Sequence, residues 1–140
     1  MINTYKQFIQ VRDKYKLMEA LLEYQSRGLC ISFEGKLLSY DFSKIGDTIK
    51  EEYSILRRNV IEPKSDFFVF DLNKININSI LKIIKVGDVL EWDIFHIKIA
   101  DTHEIVFESY DWFSDCYLSC NFYNSGFINN LVCKGIIKFA

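Results

Sequence analysis

The chain has 140 residues, 49% hydrophobic, 26% charged and 16% aromatic, with 17 basic against 19 acidic side chains. This is the profile of one folded domain spanning residues 1–140, long enough to build its own core without disulfides or a structural metal, and it excludes global disorder and a multidomain enzyme. A net charge of −2, with the single basic pair Arg57 and Arg58 close to Glu51 and Glu52, argues against duplex DNA or RNA as a partner.

Taken in chain order, Phe8, Val11, Tyr15, Met18 and Leu22 recur at three- and four-residue steps and predict an amphipathic helix over residues 3–27, stopped by Gly28. Residues 29–33 and 37–42 suit two strands of a hairpin, turned by Glu34, Gly35 and Lys36. Asp47 is placed to cap a second helix over 47–59, with Ile49, Tyr53, Leu56 and Val60 as its buried stripe. DFFVFDL (66–72) reads as a strand, and Asn78 as the cap of a short helix over 78–84 that Gly87 closes. The stretches 89–100 and 104–110 are the most strand-like of all. A last helix over 124–134 carries Phe127, Ile128, Leu131 and Val132 and stops at Gly135, and 136–139 returns as a strand. The order predicts an α+β domain, a mixed or antiparallel β-sheet packed against about three helices.

Register follows for the hairpin 89–110 if Asp101, Thr102 and His103 form its loop. Ile99 then opposes Ile105, Ile97 opposes Phe107 and Phe95 opposes Ser109 on an apolar face. The polar face pairs Lys98 with Val106, His96 with Glu108 and Ile94 with Tyr110. The predicted core includes Phe8, Met18, Leu22, Phe68, Ile97, Phe107 and Leu131.

Few chemical motifs survive inspection. The start of the chain has no secretory pattern and no apolar run reaches a membrane span, so a cytoplasmic protein is expected, with Cys30, Cys116, Cys120 and Cys133 as free thiols. Cys116 and Cys120 lack the second close ligand pair of a structural zinc site, and the glycines stand singly, so neither a metal, a cofactor nor a phosphate-binding loop is expected. What stands out is the window 88–115, with eight carboxylates (Asp88, Glu91, Asp93, Asp101, Glu104, Glu108, Asp111, Asp115) against Lys98 alone, and with both tryptophans of the chain. Charge that steers encounter and aromatics that anchor it suit a protein-binding surface, with Trp92, Glu108, Tyr110, Asp111, Trp112 and Asp115 as its leading candidates. A solvated face with its aromatics turned inward is the plain alternative. Two other readings stay open: a small enzyme or ligand-binding pocket near His96 and Glu108 with Cys116 or Cys120 at its mouth, and an adaptor that homodimerises through a sheet edge.

In its last third, the strand HEIVFESYDWF (103–113) leads on to the helix around GFINNLV (126–132). With its compact α+β pattern and absence of catalytic motifs, the chain resembles the small cytoplasmic immunity proteins that accompany bacterial polymorphic toxins, including those of contact-dependent growth inhibition. The resemblance implies a non-enzymatic protein that binds and neutralises a cognate toxin domain, often a nuclease, and it carries no residue roles of its own.

Overall fold

The computed structural model describes residues 6–24, 28–46, 48–51, 54–60 and 62–140. Its strands and helices are β1 (Lys6–Val11), α1 (Lys14–Tyr24), β2 (Cys30–Gly35), β3 (Asp66–Asp71), α2 (Lys74–Lys85), β4 (Ile94–Ala100), β5 (Ile105–Tyr110), β6 (Asp115–Ser119), α3 (Ser125–Cys133) and β7 (Ile137–Phe139). Among the described residues they form one seven-stranded sheet in the order β3-β2-β4-β5-β6-β1-β7, with each of these pairings antiparallel. The fold is α+β. No helix of the described residues is long and apolar enough to cross a membrane.

Strand alternation divides the molecule. Ile9, Ile31, Phe33, Phe70, Ile97, Ile99, Phe107 and Leu118 are all buried and share one cluster with Leu17, Met18, Leu21 and Leu22 of α1, Ile80 and Ile84 of α2, and Ile128 and Leu131 of α3. On the other face, Leu56, Val69 and Ala100 form a smaller cluster. There the carboxylate of Glu34 accepts the backbone N–H groups of Asn59 (2.7 Å) and Val60 (3.0 Å) and fastens the stretch 54–60 over β2 and β4. Phe8, Tyr110, Asp115 and Tyr117, further along the sheet, keep part of their surface open.

Several expectations are met. The strand at 66–72, the last helix, capped by Asn124 accepting from Phe127 N–H, and the terminal strand all form. Met18, Leu22, Ile97, Phe107 and Leu131 are buried, whereas Phe8 and Phe68 are only partly so.

Other expectations are corrected. Of the predicted helix 3–27, residues 3–5 and 25–27 lie outside the described residues, and the rest is two elements, because Lys6–Val11 pairs with both β6 and β7 and the helix among these described residues is α1. Phe8 and Val11 fit a helix's period, but Ile9 and Val11 equally fit a strand's alternation, and partners more than a hundred residues away in the chain decide between them. The predicted hairpin about Glu34–Lys36 does not form either: β2 runs through Gly35 and lies between β3 and β4, and a short 3₁₀ turn, Asp41–Lys44, follows it. Of the predicted helix 47–59, Asp47 and Tyr53 lie outside the described residues. Thr48 makes a bridge to Phe70, and 54–60 is irregular backbone tied to Glu34. The short helix predicted from Asn78 is longer, since Asn73 caps α2 by accepting from Asn76 N–H.

In the central hairpin Ile97 opposes Ser109, Lys98 opposes Glu108 and Ile99 opposes Phe107, with a bulge before the Ala100–Ile105 pair. This differs by two residues from the predicted register, which keeps Ile97, Ile99 and Phe107 on the apolar face and His96, Lys98, Glu108 and Tyr110 on the polar one, but past the bulge Ile105 packs with Ala100 on the other face, and Ile94 and Val106, expected on the polar face, join the main core. The larger loop follows from Asp101, whose carboxylate accepts the N–H groups of His103 and Glu104 at 2.7 Å each.

Gly35 is a close approach and not a turn. A Cβ there would run into the carbonyl oxygen of Asp93, which also accepts Lys36 N–H at 2.8 Å. Gly35→Ala is therefore expected to push the backbone at Asp93 away and cost about 1–3 kcal/mol. A lower urea midpoint together with a changed tryptophan emission would register both effects, because Trp92 precedes Asp93.

Candidate functional site

The acidic window folds into a turn, a hairpin and the loop at the hairpin's end. Val89–Asp93 makes a single π-type turn in which Trp92 N–H and Glu91 N–H both donate to Asp88 O (2.9 and 3.0 Å). Tyr40 OH bonds to the Asp93 carboxylate and Lys14 pairs with Glu91 at 3.0 Å, so the turn is held from two sides. It leaves the Trp92 indole 69% exposed.

The loop that joins β5 to β6 is unusual. Asp111, Trp112 and Phe113 have φ of 51°, 56° and 68°, a left-handed run without a glycine. Such backbone costs about 1 kcal/mol or more per residue and persists only where its surroundings over-determine it. Here they do. Trp112 N–H donates to Phe95 O (3.0 Å), Asp111 N–H to His96 Nδ1 (3.2 Å), and the Trp112 indole N–H to Trp92 O (3.0 Å). Ser114 closes the loop through Tyr110 O (3.0 Å) and, with its hydroxyl, Asp111 O (2.6 Å). Phe113 is buried with the Lys14 ammonium 5.4 Å from its ring centre. Trp112 rests on Phe95, ring centres 4.8 Å apart, and stays 42% exposed.

On the open face the side chains form a connected polar set. Glu108 is 8% exposed: Lys6 Nζ lies 2.6 Å from one of its oxygens and Tyr110 OH donates to the other at 2.6 Å. Lys98, opposite Glu108, stands 5.4 Å over the Tyr110 ring and donates to Arg57 O (3.3 Å) and to the Asn59 side chain. Beside this set His96, Tyr110, Asp111, Asp115 and Tyr117, with Asn59 and Val60, line an open basin of about 400 Å³. The Asp111 and Asp115 carboxylates have no hydrogen-bond or ion-pair partner among the described residues.

The six residues singled out by sequence thus divide. Tyr110, Asp111 and Asp115 meet at the basin, and Glu108 lies beneath them, its charge already engaged by Lys6. At the end of the sheet Trp112 rests on Phe95 and its indole N–H donates to the Trp92 main-chain carbonyl. Lys6, Asn59 and Val60 escaped sequence reasoning, since nothing local marks residues that reach the site from other elements.

The thiol and imidazole do not come together. Cys116 is on the helix-covered face, where its Sγ lies 3.5 Å from Ser109 Oγ and 3.4 Å from Phe113 O, while His96 is on the other. Cys120 is exposed beyond the end of β6. The pairing of His96 with Glu108 is likewise replaced by Lys98 with Glu108. Among the described residues no group of three or more His, Cys, Asp or Glu side chains is placed to hold a metal ion.

Burial pushes the Cys116 thiol up to about 11. Burial first, and then the hydrogen bond to Glu108, raises the Tyr110 phenol well above its ordinary value, so it remains a proton donor at neutral pH. Burial lowers Lys98. No family model, no curated protein and no solved structure matches the chain.

Both raised acids favour the folded state while protonated. Their contribution is complete below the unfolded values and is lost as pH climbs through the folded ones. Thermal midpoints should accordingly fall from pH 9.0 upward, with the Cys116 share lost by about pH 11, and Cys116→Ser should flatten the first part of that decline. A midpoint unchanged across this range would contradict the assignment.

Proposed function

We propose that the chain is a non-enzymatic binding protein that captures and neutralises a toxin domain, as immunity proteins do, through the surface presented by the loop between β5 and β6. One observation carries this reading. The left-handed run Asp111–Trp112–Phe113 is costly, yet it is held by backbone and side-chain hydrogen bonds to β4 and to the Trp92 turn, and the product is two exposed tryptophans beside two carboxylates that have no partner among the described residues. Strain kept in place by its surroundings is characteristic of sites that serve recognition or catalysis. Large exposed aromatics rimmed by charge favour recognition of a protein.

The direction of charge supports a basic partner surface. The carboxylates of residues 88–115 outnumber their one lysine while the rest of the chain is net positive, so the field is directed and not uniform. A toxin whose substrate is nucleic acid offers such a basic surface. An inhibitor that sets carboxylates where phosphates would lie needs no chemistry of its own.

Co-expression with candidate toxin domains, followed by co-purification and kinetic measurement, tests this. Asp111→Lys with Asp115→Lys is expected to slow association and weaken its salt dependence. Trp112→Ala should act on dissociation, with a loss of about 2 kcal/mol, roughly thirtyfold in Kd. Thermal melting of each variant separates an interface effect from a lost loop contact. Unchanged kinetics at low salt in folded variants would contradict the reading.

A further inference from the structure

The stretch 54–60 is fastened over the open face of the sheet by side chains. Among the described residues no backbone-to-backbone hydrogen bond joins it to a strand. Over the middle of the sheet three side chains hold it. Leu56 is fully buried in a cluster with Val69 of β3 and Ala100 of β4, Glu34 of β2 accepts the Asn59 and Val60 N–H groups, and Lys98 of β4 donates to Arg57 O and the Asn59 side chain. At the edge, where β3 begins, Arg58 donates to Ser65 O (2.7 Å) and stands 5.3 Å over the Phe67 ring. Lifting the stretch from β2 and β4 leaves these edge contacts in place.

The stretch is also braced within itself. The Glu51 carboxylate accepts the Arg58 N–H (2.7 Å) and Nε (3.1 Å), the Arg57 guanidinium donates to the carbonyls of Glu51 and Ser54, and Leu56 N–H donates to Ser54 Oγ (3.0 Å). Opening breaks none of these bonds, so the stretch moves as one piece. Its hold on the sheet is finely balanced. Glu34 is 2% exposed and has no ion-pair partner among the described residues, and burial lowers Lys98. Lifting the stretch returns both charges to water, which offsets part of the lost Leu56 burial and of the lost hydrogen bonds. Strong internal ties with a weakly favoured docking are what let a segment open below the threshold of global unfolding.

We propose that 54–60 is a latched cover that opens as a unit while the seven-stranded sheet stays folded, with Glu34 and Lys98 as its latch. Opening uncovers the apolar patch of Val69, Ala100, Cys30 and Ile105 and takes Asn59 and Val60 out of the basin wall, so two parts of the open face change together. The cover belongs to the free chain and stands whether or not the chain captures a toxin domain.

Native-state amide exchange of the full chain in sub-denaturing urea tests this, read by NMR at Asn59 and Val60 and at Phe33 and Ile97, which pair between β2 and β4. The Asn59 and Val60 amides should exchange at least about tenfold faster than the strand amides and with a shallow urea dependence, because little surface opens with them. Cys30 gives a second readout. In a Cys120→Ser, Cys133→Ser background its alkylation by iodoacetamide should show the same shallow slope, while Cys116, buried on the other face, follows the steep slope of the strands. Glu34→Gln and, separately, Lys98→Met should each speed Cys30 alkylation about tenfold. Lys98→Met keeps the acceptor of the Asn59 and Val60 amides, so faster exchange there reads opening and not the loss of one bond. Strap amides and Cys30 that share the steep slope of the strand amides and Cys116 would overturn the proposal, because the stretch would then open only with the whole fold. Cys30 alkylation that neither variant changes would overturn it as well.

Discussion

Two backbone N–H groups, those of Asp111 and Trp112, end on neighbouring residues of β4, and much of what is distinctive in this molecule depends on that placement. Phe95 offers its carbonyl and His96 its Nδ1. Successive side chains of a strand face opposite ways, so the Phe95 ring and the His96 imidazole meet the loop from different sides. Phe95 supports the Trp112 ring where it meets the Trp92 turn, and His96 sits under Asp111 at the basin. A left-handed run that would relax in isolation is thereby fixed, and the aromatic and acidic parts of the surface acquire a set geometry. Such preorganisation removes ordering cost from binding.

The rest of the fold serves that strand. β4 lies between β2 and β5, with Ile97 and Ile99 against the helices and with His96 and Lys98 on the face where Glu34 holds the stretch 54–60. The bare backbone at Gly35 lets Asp93 come close, which sets the π-type turn at the start of β4. On the far side, Lys6 reaches from β1 to neutralise the nearly buried Glu108. A buried carboxylate without that partner would be costly, so β1 contributes to the electrostatics of the site as well as to the sheet.

Legibility in the sequence followed the range of the forces involved. Elements defined by local pattern were readable: the aromatic strand at 66–72, the hairpin faces carrying Ile97 and Phe107, and the final helix with its asparagine cap. Elements defined by distant partners were not. KQFIQV fits two periods until β6 and β7 are known, and DCYLS is too short and polar to declare itself although Cys116 and Leu118 do turn inward while Tyr117 turns outward. The acidic and aromatic window was visible as composition. Its division into a basin and a tryptophan-bearing end was not, because it arises from alternation about Phe95 and His96 combined with a left-handed loop that no residue type announces. Gly35 misled for the same reason: close backbone approach and turn geometry select glycine equally.

The central claim is that the loop 111–113 is a rigid element held by β4. Amide hydrogen exchange reads this most directly, because the N–H groups of Asp111 and Trp112 have single named acceptors. Protection of both amides at the level of the adjoining β4 and β5 amides is the expected result. Exchange at the rate of an unstructured loop, with β4 and β5 still protected, would contradict the claim, because the left-handed run would then have no lasting hold on the strand.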